Sequence, residues 1–374
     1  FSVTQLINYQ RCPRQHYFDR VLHAPAPDAL AVWNDAEAPE PPANLTATLK
    51  GAVIHRFCET YTTKDDPEGL LRQSFGEVVQ SRQAQLADRL VEINADAAIA
   101  ELLPLAQNYL ESGVFERVER ARAMSASPAL AGQAIGSPGP RNGEAGLWSE
   151  LGFRLRRPLG ILTGAIDKLL ILPSAEGKGF HLEIIDFKTN RLRLRKSVDS
   201  APASTPARLQ IGEPPGNLNP GKAKQSSQLR SQGAVEQIAF DFSSPDPIPK
   251  EFPTAESSLE DLVRVAASDY QLQMQAYALA ARELLPSLSA ADSSISCTLH
   301  FLEPAMEFHI DSQLLSAAAC LSAIDNAMMS IVSSVAPAEF PLRPANHCRM
   351  CNFLGICPTG REWVHTMKRP GTEP

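Results

Sequence analysis

The sequence predicts an α/β protein on three observations: helical hydrophobic patterns dominate to about residue 125, alternating strand-like segments follow from about residue 148, and helix and strand patterns interleave again after about residue 266. With 374 residues, 44% of them apolar, the chain can bury a large core. It reads as one domain over 1–374, with a helical lobe at about 46–125 and a core at about 148–192 and 266–335. An insertion at about 198–258 is rich in Pro, Ser, Gly and Gln, has no hydrophobic period, and is expected to be flexible.

The opening SVTQ fits a capping box, Ser2 with Gln5, leading a short helix in which Leu6 shares a face with Tyr9 or Gln10. In RCPRQHYFDRVL, Pro13 suits the first turn of a second helix, so Cys12 falls at a helix junction. A proline-rich loop follows. A helix resumes around TLKGAVIHRFCETYT, and helical patterns continue from about Pro67 to Met124. WSELGFRLRR, LGILTGAIDKLLIL and FHLEIIDFKT alternate as strands do, with PSAEGKG as the turn joining the last two, and read as a meander of half-buried strands. Helix returns at SDYQLQMQAYALAARELL, where Ser268 and Gln271 fit a second capping box. The strand SCTLHFLE, a partner strand AMEFHI and a helix from about Ser312 to Val335 follow. The most apolar late stretch carries Asp325, Asn326 and several serines, which suits a packed helix rather than a membrane span.

A net charge of -7 disfavours nucleic-acid binding by bulk electrostatics, so any such surface must be local. Seven cysteines, an odd number, with no charged and apolar leader, argue for reduced thiols in the cytoplasm. The first residue, Phe1, points to a piece of a longer polypeptide or a processed product. Cys58, Cys297 and Cys320 lie in apolar patterns and read as packing residues. Cys348, Cys351 and Cys357 instead form C-x2-C-x5-C followed by a proline, and thiolate metal sites usually take four ligands, which raises the question of the fourth.

Strand alternation puts Asp186 and Lys188 on one face of HLEIIDFKT with Leu182 and Ile184, and Glu183, Ile185 and Phe187 on the other. If the preceding strand pairs with it as a hairpin, Asp167 of TGAIDKLL approaches Asp186. Two close carboxylates repel unless a cation lies between them, and hard oxygen ligands suit Mg2+ or Mn2+. A lysine beside such an ion can orient water or stabilise charge on a phosphate; a surface Asp and Lys at a strand end is the plainer reading. In KGAVIHRFCETY, Gly51, His55 and Glu59 share a helix face away from the Leu49, Val53 and Phe57 stripe. His55 then lies over Gly51, where a metal or a close strand has room; an exposed or helix-capping histidine is the alternative. Tyr270, Gln273 and Tyr277 form one polar row that can bind phosphate, or simply bury satisfied hydroxyls. Arg191, Arg193 and Arg195 in TNRLRLRK, if extended, form a basic rail for a phosphate backbone, or a charged strand edge.

The order GxxxH (Gly51 to His55), GxxD (Gly164 to Asp167), IIDFKT with Asp186 and Lys188, then QxxxY (Gln273 to Tyr277) resembles the PD-(D/E)XK nuclease superfamily. More narrowly it resembles the RecB-like nuclease domain at the C-terminus of AddA, AddB and RecB type helicase-nucleases, whose usual beginning is similar to SVTQLINYQRCPRQHYFDRVL. The resemblance implies a mixed α/β sheet flanked by helices, a restriction-endonuclease-like core. It implies a divalent ion, Mg2+ or Mn2+, held by His55, Asp167, Asp186 and the main-chain carbonyl of Phe187, with Lys188 as the motif lysine and Gln273 and Tyr277 lining the site. Glu150, in SELGF, stands where such domains often carry a glutamate. The implied activity is metal-dependent exonucleolytic hydrolysis of DNA in double-strand break repair. The implied partners are single-stranded DNA ends and a helicase, in the same longer chain or in a partner subunit. Some relatives also bind a 4Fe-4S cluster through one N-terminal and three C-terminal cysteines, here Cys12 with Cys348, Cys351 and Cys357. Zinc on the same thiolates, or with His347 in place of Cys12, is the rival. Two other functions fit: a catalytically inactive iron-sulfur or zinc DNA-binding module, and a self-standing CRISPR-associated type of single-strand exonuclease.

Overall fold

Strands β1 (Gly146–Arg157), β2 (Gly160–Pro173) and β3 (Phe180–Lys188) form an antiparallel meander, β4 (Ser294–Phe301) joins β3 in parallel, and β5 (Met306–His309) closes the far edge antiparallel. Helices cover both faces of this mixed sheet, the α/β architecture read from the sequence. The computed structural model describes residues 1–24, 47–81, 93–125, 145–174, 179–189, 192, 258–286 and 293–368. These lie in the unit formed by Phe1–Leu194 and Glu256–Pro374. The expected flexible insertion, apart from Ser258, and the rail of Arg191, Arg193 and Arg195 lie outside the described residues.

The meander is not uniformly half-buried as expected. β3 stands between β2 and β4 and buries both faces, Leu182 and Ile184 into one apolar cluster and Ile185 and Phe187 into the other. A strand with a parallel neighbour and helices on both sides has no face left for water. The first cluster is covered by α1 (Val3–Arg11) through Val3, Leu6 and Ile7, and by residues of Gln271–Leu284. The second is covered by Ala47–Thr60 (α3), Pro67–Ser81 (α4), Ala95–Leu110 (α5) and Gly113–Ser125 (α6), through Val53, Phe57, Leu71, Leu102 and Val118 among others.

Helix ends follow the local chemistry with one correction. Ser2 Oγ accepts the Gln5 N–H at 3.1 Å, and Cys12 is the cap residue between α1 and the short α2 (Pro13–His16), as Pro13 predicts. The second expected box is absent. Ser268 ends a helix, α7 (Leu259–Ser268), and its hydroxyl donates to Val265 O at 2.7 Å. The true box is one helix earlier, where Ser258 Oγ accepts from Asp261 N and Asp261 Oδ2 accepts from Ser258 N, both at 3.1 Å. The polar-row helix, α8 (Gln271–Leu284), therefore starts without a side-chain cap. The chain closes with α9 (Ala317–Ser333) and α10 (Pro358–Lys368). Among the described residues no helix is long and apolar enough to cross a membrane.

One irregularity in β1 and β2 prepares the functional site. Leu151, Phe153 and Leu155 of β1 and Leu162 and Ile166 of β2 face the first cluster, yet so do Trp148 and Leu169, each three residues across the break rather than two. Pairing keeps its register through the break, Ser149 with Lys168 and Leu151 with Ile166, so both strands change phase together. At that level Glu150 has φ 48°, left-handed for a non-glycine residue. As a result the consecutive residues Asp167 and Lys168 both reach α3, at His55 and at the Glu59 carbonyl.

Gly164 of the GxxD pattern owes its identity to packing. A Cβ there would stand 2.5 Å from Phe153 Cζ and 3.0 Å from Val3 Cγ2, whereas one at Gly51 meets only Thr189 Oγ1 at 3.5 Å. Gly164→Ala is expected to cost about 1–3 kcal/mol of stability by overpacking, while Gly51→Ala folds with an unchanged midpoint; thermal or urea denaturation of both variants checks the contrast.

Candidate active site

The ladder between β2 and β3 ends at Lys168 with Ile185, and beyond it the Asp167 carboxylate takes over the role of a ladder carbonyl. Asp167 Oδ2 accepts the Phe187 N–H at 3.0 Å and lies 3.2 Å from His55 Nδ1. His55 Nε2 is 3.1 Å from the Phe187 carbonyl, to which it donates. Helix α3 can offer His55 because Leu49, Val53, Ile54 and Phe57 hold its other side in the core. Burial opposes a charge on His55, but the charge and hydrogen bond of Asp167 outweigh it and raise the imidazole to about 9. Burial likewise opposes ionisation of Asp167, yet His55, the Phe187 N–H and Lys188 hold its carboxyl below the usual carboxylate range.

Glu150 completes a trio. Ligand atoms of His55, Glu150 and Asp167 all lie within 4.8 Å of one another. Glu150 is exposed as a residue, but its carboxyl group stands among neighbours. Their enclosure, then the charge of Asp167, pushes it up to about 7.

Asp186, Lys188, Gln273 and Tyr277 form the second half of the site. Gln273 Nε2 donates to Asp186 Oδ1 at 2.8 Å and to Tyr277 OH at 2.7 Å, while its Oε1 accepts from Lys188 Nζ at 3.0 Å. Lys188 Nζ also lies 2.5 Å from Asp186 Oδ2 and 3.8 Å from the Tyr270 ring centroid. Asp186 is raised to about 6, by burial first, with Lys188 opposing and Asp167 adding to the rise. The Phe187 peptide joins the halves, its N–H bound to Asp167 and its carbonyl to His55.

Of the sequence-derived nuclease candidates among the described residues, His55, Glu150, Asp167, Asp186, Phe187, Lys188, Gln273 and Tyr277 are thus found in this region, with Tyr270 of the polar row at the N-cap of α8. Glu59 turns away to pair with Arg56 at 2.8 Å. Lys168 was not anticipated. It is 1% exposed, lowered to about 8 mainly by burial and then by Arg122, and its Nζ donates to Ser149 Oγ at 2.7 Å and Glu59 O at 3.3 Å. Its signal in the sequence was a lone cation inside an otherwise apolar strand.

The donor set, imidazole nitrogen with carboxylate oxygens converging at the end of two strands, fits a divalent cation with hard-ligand preference. Carboxylates this crowded are held protonated unless positive charge accompanies them. Lys188 stands where it can act on a group bound beside that charge.

A second constellation joins the chain ends. Cys12, Cys348, Cys351 and Cys357 line one cavity together with His347, and all seven cysteines are free. Burial raises the Cys348 and Cys357 thiols and pushes Cys351 to about 11. Among the described residues no three of these sulfurs lie within 4.8 Å of one another. The surrounding contacts hold independently of the thiols: Arg14 Nε donates to Phe340 O at 2.9 Å, and Tyr9 OH to Ser330 O at 2.9 Å.

A family model described as the PD-(D/E)XK nuclease superfamily matches residues 1–210 and 255–358. The chain belongs to the PD-(D/E)XK nuclease superfamily. Comparison with curated proteins finds no match. Membership implies nuclease activity on nucleic acid and accords with the mixed sheet; the match spans His55, Glu150, Asp167, Asp186, Lys188, Gln273 and Tyr277.

The charge states give a pH dependence for the metal-free protein. Glu150 and Asp186 bind protons more tightly folded than unfolded, so their protonation favours folding at acid pH, and this is lost as pH rises through about 6 to 7. His55, also raised, contributes stability that is full below its unfolded value near 6.5 and lost as pH passes about 9. The opposing contribution of Asp167, whose carboxyl is lowered, changes only at pH below its ordinary carboxylate value. His300 and His347, each lowered to about 4 by burial, act oppositely and gain stability up to their unfolded value near 6.5, offsetting the two carboxyls there, and Lys168, lowered to about 8, opposes His55 above that pH. In EDTA the melting temperature is therefore expected to fall mainly between about pH 6.5 and 8, where the His55 contribution is lost unopposed, and added Mg2+ to reverse the fall; calorimetry across that range checks it.

Proposed function

We propose that this chain hydrolyses DNA phosphodiesters with a divalent ion, Mg2+ or Mn2+, held by His55, Glu150, Asp167, Asp186 and the Phe187 carbonyl. The observation that carries this reading is the meeting of an imidazole from α3 with the Glu150 and Asp167 carboxylates of two paired strands, beside Asp186 of the third strand and a lysine fixed by an amide. Such an ion supplies Lewis acidity to the phosphate and a nucleophilic water at neutral pH. The chain supplies the rest. Gln273 and the Tyr270 ring fix the Lys188 ammonium on one side of Asp186, so its charge is preorganised toward a phosphate oxygen that gains negative charge. Tyr277 holds Gln273, and Phe153 packs edge-on against Tyr277 at 5.9 Å, which carries that order into the core. His55 and the Phe187 N–H orient Asp167.

The finer reading is an exonuclease domain of a RecB/AddAB-type helicase-nuclease, acting on single-stranded ends in double-strand break repair in the cytoplasm, with the helicase in the same longer chain or a partner subunit. Its support is the motif order together with the cysteine quartet. In that reading 1–374 is a single nuclease domain. Cys12, Cys348, Cys351 and Cys357 hold a 4Fe-4S cluster that ties the chain ends together. The donor set, four thiols around one cavity, fits such a group. Zinc on the same thiolates, or with His347 in place of Cys12, is the alternative that this donor set also accepts.

Two measurements test these readings. With Mg2+ or Mn2+, 5'- and 3'-labelled single strands are expected to be degraded. Asp186→Ala and Lys188→Ala should each reduce turnover at least about 100-fold with the fold intact by circular dichroism; full activity in both would remove the site. Anaerobically purified protein is expected to be brown with about four irons per chain, and stoichiometric zinc without iron would overturn the cluster.

A further inference from the structure

The half of the β1–β2 hairpin beyond the phase break has one open face. Arg154 and Arg156 are exposed on it, with Gly152 and, across the ladder, Ile161, Thr163 and Ala165. Cross-strand partners are Arg156 with Ile161, Arg154 with Thr163 and Gly152 with Ala165, so the face runs in steps from a basic end to a floor of two small residues. A Cβ at Gly152 would meet nothing within 4 Å, so the floor is open. The next level along the same strands is Glu150 and Asp167. At a strand rise of 3.3 Å per residue, Thr163 and Asp167 are about 13 Å apart. Beyond Arg154 lies an open cleft lined also by Phe1, Gln5 and Arg20, with Ile161 left 55% exposed.

Charge on this face is left unneutralised, unlike that of many arginines elsewhere on the chain. Arg56, Arg72, Arg117, Arg122, Arg157 and Arg264 each face a carboxylate. Arg154 and Arg156 have none among the described residues, and Arg20 pairs only with exposed Asp19. Two unneutralised guanidinium groups on alternate residues of one strand project to the same side, about 7 Å apart along it. A groove with cations at one end, apolar and aromatic surface beside them and a small-residue floor is what a single strand needs, with phosphates held by charge and bases against flat or apolar surface.

We infer that this open face of β1 and β2 is the track on which a single DNA strand lies as it enters the site, with Arg154 and Arg156 gripping its phosphates and Gly152 and Ala165 forming its floor. The inference rests on the nuclease reading of the site and adds where the substrate binds. It makes strand binding a property of the hairpin, independent of the residues that hold the metal.

The test is Mg2+-dependent cleavage of a 5'-labelled single-stranded oligonucleotide across a KCl series, with the full chain. Arg154→Ala with Arg156→Ala is expected to raise KM at least tenfold with kcat within about twofold. It should also flatten the slope of log(kcat/KM) against log salt by about 1.4, 0.7 for each lost phosphate contact. Arg154→Lys with Arg156→Lys should restore the slope. Gly152→Phe, which fills the floor without changing charge, should raise KM and leave the slope alone. Arg120→Ala with Arg264→Ala, an equal charge change at exposed sites elsewhere, should alter neither. An unchanged KM and slope in the Arg154 and Arg156 double variant of an active enzyme would overturn the track, as would an equal effect from the Arg120 and Arg264 pair. A wild-type chain that cleaves no DNA in any metal would overturn the nuclease reading and the track together.

Discussion

The Asp167 carboxylate is the joint on which the site depends. One of its oxygens faces both the imidazole of His55 on α3 and the backbone N–H of Phe187 on β3, while its own chain belongs to β2. Three elements that the hydrophobic core places only approximately are thereby fixed at one point. The ladder that joins β2 and β3 has already ended there, so the carboxylate replaces a backbone acceptor that the diverging strands no longer supply. An uncharged residue of similar shape would keep the hydrogen bonds in part but lose the attraction that holds His55 charged.

The surrounding electrostatics are unfavourable in isolation. Asp167 repels both Glu150 and Asp186 in a partly enclosed pocket, and the positive charges that offset this are His55, Lys188 and, toward Glu150, Lys168. Glu150 is moreover held in a left-handed backbone conformation that a non-glycine residue avoids. Strain and like charge at one place are tolerated because two apolar clusters, one on each face of β3, overdetermine the strands that carry them. Such a pocket gains from a cation, and that links the energetics of the fold to the chemistry of the superfamily.

The chain ends meet for a separate reason. Tyr9, Tyr17, Phe18, Phe340 and Phe353 form a small aromatic cluster beneath the cysteine cavity, and Arg14 ties α2 to the Phe340 carbonyl. The four thiols are thus brought to one cavity by packing that does not use them, so a bound metal group would reinforce this closure.

Much of the site was written in local pattern. Strand alternation put Asp186 with Lys188, helical spacing put Gln273 with Tyr277, and a histidine off the apolar stripe of α3 was identified as a candidate, because each depends on residues within one element. Cys12 was placed at a helix junction by the proline after it. Local pattern failed where two elements act jointly. The phase break depends on β1 and β2 changing face together, so neither strand shows by itself that Asp167 and Lys168 turn to the same side, that Glu150 joins His55, or that Arg154 is left facing an open groove. Burial of β3 on both faces required the parallel strand β4, more than a hundred residues away, and α7 required the true cap at Ser258 rather than the similar text at Ser268. The sequence by itself determined which residues carry the side-chain chemistry of the candidate site; tertiary structure alone decided which of them share a point in space, because those distances are set by packing between elements and not by periodicity within them.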